Sequence, residues 1–195
     1  STNVSVQPTG QGAFSIVKAI KVQTLKGVMT NRVLKYDYDP LTAAAKFKVV
    51  KIYHEDGTYT DVDVSKTCDY AAPARMIYWG ARQIMLQLDN LQPGDIIYYE
   101  IDKKGFTYAL LGADEDDSRF IPPMRGQFYD IVPFWVSEPT LRKVYRVMMP
   151  MEKELQFQFY QGECTSSMRY DDDRKVYTFA MNDVMPFERE PNMVD

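Results

Sequence analysis

The stretch Arg82–Asp102 combines two runs of strand-forming residues with a turn between them. Ile84, Leu86 and Leu88 alternate with Gln83 and Gln87, which is the two-residue period of a strand with one buried face. Pro93-Gly94 then provides a turn, because proline fixes φ at about −65° and glycine accepts positive φ. Residues 96–101 are almost continuously β-branched and aromatic, as in a strand that is covered on both faces. The stretch therefore predicts a hairpin at the centre of a sheet.

The rest of the chain shows the same two-residue period. The alternation over 45–54 changes phase near Val49-Val50, which predicts a β-bulge, and Glu55-Asp56-Gly57 predicts a hairpin turn after it. A return strand should place Thr60, Val62 and Val64 inward. Other strands are expected over 28–38, 145–149, 155–159, 165–170 and 176–181, the fourth and fifth of these joined by an aspartate turn.

No segment sustains the 3.6-residue period of a helix. We therefore predict a mostly β fold, an antiparallel two-sheet β-sandwich with a long irregular connection around 103–126. Residues 1–13, which contain Pro8, Gly10 and Gly12, are expected to form a flexible lead-in. Residues 14–185 should form one large β-sandwich domain.

Charge and hydropathy limit the classes of partner. The 195 residues carry a net charge of −4, and lysines and arginines are scattered rather than clustered, so no nucleic-acid surface is expected. No apolar run approaches the roughly 18 residues of a membrane span. The chain starts at Ser1 without a methionine and shows no signal-peptide core, so we expect an upstream leader to have been removed, either by the cell or by the choice of the expressed segment.

The titratable residues do not form a recognisable catalytic or metal motif. His54 is the single histidine, and it precedes both Cys68 and Cys164. In papain-like and transglutaminase-like sites the order is reversed: the cysteine comes first, and the histidine paired with it lowers the pKa of the thiol so that the reactive thiolate forms. We expect both cysteines to be free, neither to be catalytic, and His54 to be a strand-end residue beside a turn. No zinc site and no cofactor are expected. The acidic run Asp114–Asp117 reads as a solvated loop tip.

Several aromatic residues fall near turns or in the long connection rather than at core positions. Exposed side by side, such rings would form a platform for sugars or for a partner surface, although most aromatic residues of a β-sandwich belong to its core. The candidate binding residues are Tyr78, Trp79, Phe106, Tyr108, Phe134 and Trp135.

A set of short motifs resembles one bacterial family. The motifs are Tyr38-Asp39 before a strand, His54-Glu-Asp-Gly57 at the end of the next, and Leu88-Asp-Asn-Leu-Gln-Pro-Gly-Asp95 leading into Ile97-Tyr-Tyr-Glu100. They resemble the domain of unknown function that precedes a transglutaminase-like domain in secreted proteins of Bacteroidetes. The resemblance covers roughly residues 15–185 and implies a β-sandwich comparable to the N-terminal domain of M1 aminopeptidases.

The resemblance also implies a function. This segment would be a noncatalytic accessory module of an exported, periplasmic or cell-surface protein, and its partner would be the transglutaminase-like domain of the same chain or the polysaccharide or peptide substrate of that domain. Residues 186–195 would be a linker to that domain, which would cover an apolar surface including Val184, Met185 and Phe187. The alternative is a free-standing module that binds carbohydrate or a cell-surface polymer.

Overall fold

The computed structural model of the protein describes residues 1–8, 11–72, 80–105, 128, 132, 134, 138–159 and 164–186. Within these ranges the chain forms strands, one α-helix, α1 (Leu25–Asn31), and one 3-10 turn, Val64–Lys66. The strands are β1 (Thr2–Val6), β2 (Gly12–Lys21), β3 (Val33–Tyr38), β4 (Ala43–Tyr53), β5 (Tyr59–Asp61), β6 (Cys68–Ala71), β7 (Arg82–Gln87), β8 (Ile96–Gly105), β9 (Thr140–Pro150), β10 (Thr165–Asp171) and β11 (Arg174–Val184).

The strands form two sheets of unequal size. The large sheet has the order β10-β11-β9-β1-β2-β8-β4-β5, and the small sheet has the order β3-β7-β6. All pairs are antiparallel except β1 with β9. The predicted class, a mostly antiparallel two-sheet β fold, is confirmed.

One face of the large sheet, its inner face, carries two hydrophobic clusters side by side. Val4 is opposite both Phe14 and Val147 in the register, and cross-strand partners share a face. The first cluster packs residues of β2, β4 and β8 against Leu34, Ile84 and Leu86 of the small sheet. The small sheet therefore covers the part of the inner face that β2, β4 and β8 form.

The second cluster lies on β1, β9 and β11, beyond the small sheet. It includes Val4, Val147 and Phe179, and side chains from outside the strands pack against it. These side chains are Phe128, Val132, Phe134, Leu155 and Cys164.

The predicted central hairpin is wrong, because its two strands belong to different sheets. β7 lies in the middle of the small sheet, and β8 lies between β2 and β4 in the large one. The Pro93-Gly94 turn bonds to neither strand of the expected hairpin. Instead Gly94 N–H donates to Val22 O at 2.6 Å, and Val22 N–H donates to Asp95 O at 2.9 Å. Nor is β8 covered on both faces, since Ile96 is exposed on the outer face.

The expected flexible lead-in is also wrong for Thr2–Val6. This segment is a strand between β9 and β2, and Val4 and Val6 are fully buried in the second cluster. The burial of two alternating valines explains its order, despite the polar residues between them. The long connection begins only after Gly105, since residues 103–105 belong to β8; residues 106–126 lie outside the described part.

Four other predicted boundaries need correction. Residues 28–31 are helical, because Thr24 caps α1 by accepting the Gly27 N–H at 3.1 Å, and the strand starts at Val33. The return strand ends at Asp61, because Asp63 caps the 3-10 turn that follows by accepting the Ser65 N–H. The side chains of Val62 and Val64 still pack against the first cluster.

The last strand continues to Val184 instead of stopping at Met181. Residues 155–159 form no strand, although Leu155 faces the second cluster as expected.

Other local predictions are confirmed. The register of β4 against β8 shifts between Phe47 and Val49, next to the predicted bulge. Gly57 has a φ of 85° in the predicted turn, and β10 and β11 form the hairpin around the aspartate turn.

Candidate functional site

Most of the predicted aromatic platform lies outside the described residues. This applies to Tyr78, Trp79, Phe106, Tyr108 and Trp135. Phe134 is described. It is half-buried, packs against the second cluster, and has Lys143 Nζ at 5.9 Å from its ring centroid. Phe134 therefore shields the second cluster from solvent and is not part of an exposed aromatic platform.

His54 joins two of the segments that carry the family-like motifs, His54–Gly57 and Leu88–Asp95. It follows β4 directly, and its N–H donates to Thr58 O at 2.8 Å in the predicted turn. Its Nδ1 lies 3.1 Å from Asp95 Oδ1, and its Nε2 lies 2.8 Å from Thr60 Oγ1. Since a carboxylate only accepts, Nδ1 donates to Asp95, and the tautomer that carries its single proton on Nδ1 accepts the Thr60 hydroxyl proton at Nε2.

The order carboxylate, imidazole, hydroxyl is the order found in hydrolytic triads. In this protein the geometry fits a structural role for these three residues. The second oxygen of Asp95, Oδ2, accepts the Gln92 N–H at 2.9 Å, so the carboxylate also closes its own turn. The clefts beside Leu91 and beside Tyr99 include none of the three residues of this triad-like set.

The cysteines do not pair with each other or with His54 among the described contacts. Both are free, as predicted. Cys68 is exposed on β6. Cys164 is half-buried, and burial raises the pKa of its thiol, which disfavours the reactive thiolate.

Searches for metal ligands and membrane spans are negative within the described part of the chain. No three His, Cys, Asp or Glu side chains there come close enough together to hold a metal ion. None of the helices described is long and apolar enough to cross a membrane. The acidic run at 114–117 lies outside that part.

Two large apolar side chains are exposed where the chain leaves the last strand. Val184 pairs with Thr140, and the residues that follow each of them, Met185 and Leu141, are 71% and 84% exposed. Of the three residues expected on an apolar surface, Val184 is buried, Met185 is exposed and Phe187 lies outside the described residues. The exposed pair is therefore Met185 and Leu141, which was not predicted. We call this pair the exit surface.

A second group of exposed apolar side chains lies on the same half of the large sheet. Phe157 and Phe159 are both exposed and rest edge-on against Phe179, with ring centroids at 4.9 and 6.3 Å. Exposed aromatic rings on a packed support are typical of interaction surfaces.

Three tyrosines lie together on the outer face of the large sheet, a group that the sequence analysis did not select. Tyr53 pairs with Tyr59, their ring centroids are 5.8 Å apart, and both are exposed. Lys51 Nζ lies 4.7 Å from the Tyr59 ring centroid, and Lys51 pairs with Tyr98 in the register. The sequence did contain a signal for this group, because Tyr53 and Tyr59 stand two residues before and two residues after the predicted turn at 55–57. We call Tyr53, Tyr59 and Tyr98 the tyrosine surface.

The two unequal sheets define the protein as an open β-sandwich that exposes large apolar or aromatic side chains on both faces of its large sheet. The chain belongs to DUF3857, a domain of unknown function with a solved structure, whose family profile matches residues 8–188. No curated protein matches the chain. A crystal structure of a putative protease from Parabacteroides distasonis is similar in fold, with a TM-score of 0.73 at 12% sequence identity. The similarity covers 97% of this chain and 35% of that protein, so the chain spans about a third of its structural neighbour.

Proposed function

We propose that this chain is a noncatalytic β-sandwich module of a longer, exported protein, acting in the periplasm or at the cell surface. In that protein it packs against the domain that follows it, a transglutaminase-like domain with cysteine peptidase or transglutaminase activity, and positions that domain or its substrate. The observation that carries this proposal is the exit surface. Leu141 and Met185 are 84% and 71% exposed, follow the paired residues Thr140 and Val184, and lie where a following domain would begin.

Two further observations support the proposal. The chain spans 35% of its structural neighbour, which therefore has room for other domains. Among the described residues, the single histidine is tied to Asp95 and Thr60 rather than to a thiol, so the paired groups of a cysteine enzyme would have to come from elsewhere.

Substitution of Leu141 by lysine tests the proposal in the longer protein. We expect Leu141→Lys to weaken the packing between the module and its neighbour and to separate their thermal unfolding transitions, because it places a charge in an apolar contact. The matched control is Leu41→Lys. Leu41 is 72% exposed in the turn between β3 and β4, so lysine there should leave the transitions together.

Hydrogen exchange provides the second readout. Amides of residues 138–143 and 181–186 should exchange more slowly in the longer protein than in this chain alone. Equal exchange in both proteins, or equal effects of the two lysine substitutions, would contradict the proposal.

The tyrosine surface favours a second candidate function, a module that binds carbohydrate or a cell-surface polymer. Flat aromatic rings stack on sugar rings, and the ionic side chains beside them are paired locally, Lys51 with Asp61 at 3.7 Å and Lys48 with Glu100 at 4.0 Å. A locally neutral surface fits a neutral polysaccharide better than an anionic one.

Affinity electrophoresis through gels that contain neutral polysaccharides would test this second function. We expect a polysaccharide that slows the migration of the unmodified chain to slow the variant Tyr53→Ala/Tyr59→Ala much less, because the variant lacks the stacking surface. Tyr170→Ala, which removes an exposed tyrosine from β10, is the control and should be retarded like the unmodified chain. If no polysaccharide retards the chain, or if the control loses as much, this function is rejected.

A further inference from the structure

β10 is the edge strand of the large sheet. Within the described ranges it pairs with β11 alone, and all seven of its residues are exposed. Alternate residues of an edge strand direct their N–H and C=O groups away from the sheet. β10 therefore presents a row of main-chain donors and acceptors to its surroundings.

Within the described residues, β10 lacks three of the usual protections of an edge strand, namely a short length, a bulge and a proline, and its charged residues are Arg169 and Asp171. Its register with β11 is continuous from Thr165 to Asp171 without a bulge, and its sequence contains no proline or glycine. The opposite edge of the sheet is β5, which is only three residues long. Natural proteins keep exposed edges short, bulged or interrupted by proline unless something pairs with them.

The side chains of β10 differ between its two faces. Met168 is opposite Tyr177, and Ser166 is opposite Phe179, so the inner-face row Ser166, Met168 and Tyr170 continues the apolar surface that holds Phe157 and Phe159. The outer-face row is Thr165, Ser167, Arg169 and Asp171. An added strand would thus meet apolar side chains on one face, and a cation at Arg169 followed by an anion at Asp171 on the other.

We propose that β10 binds an extended peptide by strand addition. The peptide's main chain pairs with the outward N–H and C=O groups of β10, and its alternate apolar side chains contact Met168 and Tyr170. Its intervening side chains are polar, and Arg169 favours an acidic one. This proposal concerns a different surface from the exit surface and holds whether or not another domain follows.

The test uses a capped peptide of about nine residues that alternates valine with threonine, carries one central glutamate and ends in lysines for solubility. Amide chemical shifts of the 195-residue chain are followed during titration. We expect saturable shifts centred on β10. Two peptides N-methylated at odd or at even positions then test main-chain pairing, because only one of the two sets of N–H groups faces β10. One methylated peptide should bind almost as well as the parent, and the other should lose at least about tenfold in affinity.

Two substitutions on adjacent residues separate the faces of the strand. Met168→Lys should weaken binding by about tenfold or more, since it removes an apolar contact and presents a charge to the peptide. Ser167→Lys, on the outer face, should stay within about twofold. Both residues are exposed, so unchanged urea midpoints are expected and confirm that the fold is intact. Absence of binding, shifts centred elsewhere, equal loss with both methylated peptides, or equal loss in the two variants would each overturn the proposal.

Discussion

Replacing Gly105 with alanine is expected to lower the free energy of unfolding by about 3 kcal/mol or more. Gly105 ends β8 and is paired with Gly12 on one side and Ala43 on the other. Its φ is 147°, a region that is open essentially to glycine alone. An added Cβ would overlap the Thr42 carbonyl oxygen and lie 2.6 Å from Ala43 Cα. Both are backbone atoms, one in the turn that leads into β4 and one in the first residue of that paired strand, so neither can move aside as a side chain would.

Gly57→Ala is the matched control. Gly57 also has a positive φ, 85°, but a Cβ there would meet nothing within 4 Å, so only torsional strain of about 1 kcal/mol is expected. Urea unfolding of both variants gives the comparison. If the two variants lost similar amounts of unfolding free energy, the close approach of β4 to the end of β8 would not be the cause of the destabilisation in Gly105→Ala.

Local turns and faces were predictable because their signals lie within a few residues. The Gly57 turn, the change of phase before Val50 and the β10–β11 hairpin are all short-range patterns. Alternation also placed Leu155 toward the core, although residues 155–159 make no ladder. An alternating pattern reports which face of an extended segment is apolar, and it does not report hydrogen-bond partners.

Strand pairing was not predictable in the same way. The alternation of β7 and the apolar run of β8 are compatible with a hairpin or with a crossing between sheets. The deciding bonds run from Gly94 and Asp95 to Val22, about seventy residues earlier in the chain. β1 was missed because its polar residues and the nearby Pro8 suggested disorder, whereas its two valines are buried by strands that come later.

The exposed surfaces were predictable only in part. Exposure of Met185 followed from its position after the last strand, but its neighbour Leu141 became recognisable only through the pairing of Val184 with Thr140. The edge position of β10 depends on the order of eight strands, which no local pattern of TSSMRYD contains.

Asp95→Ala is the second substitution with a large expected effect, a loss of about 2–4 kcal/mol in the free energy of unfolding. Asp95 is 3% exposed. Its carboxylate accepts the Gln92 N–H on one oxygen and faces His54 Nδ1 on the other. Alanine would leave both donors without their partner in the turn that carries the chain from the small sheet to the large one.

Asp95→Asn separates hydrogen bonding from charge. Its carbonyl oxygen can still accept the Gln92 N–H, while its amide donates to His54 Nδ1. The imidazole then takes the other tautomer and donates from Nε2 to Thr60 Oγ1. We therefore expect asparagine to cost about 1 kcal/mol, well below alanine.

A double-mutant cycle decides whether Asp95 and His54 act together. If the contact between Asp95 Oδ1 and His54 Nδ1 ties the inter-sheet turn to the β4–β5 hairpin, His54→Ala should cost less in the Asp95→Ala background than in the unmodified chain. The expected coupling free energy is about 1 kcal/mol, measured by urea unfolding of the four proteins. Strictly additive losses would mean that Asp95 stabilises its own turn alone. Because this contact joins His54-Glu-Asp-Gly57 to the Pro-Gly-Asp95 turn, a measured coupling would give a physical reason why the two motifs occur together in one chain.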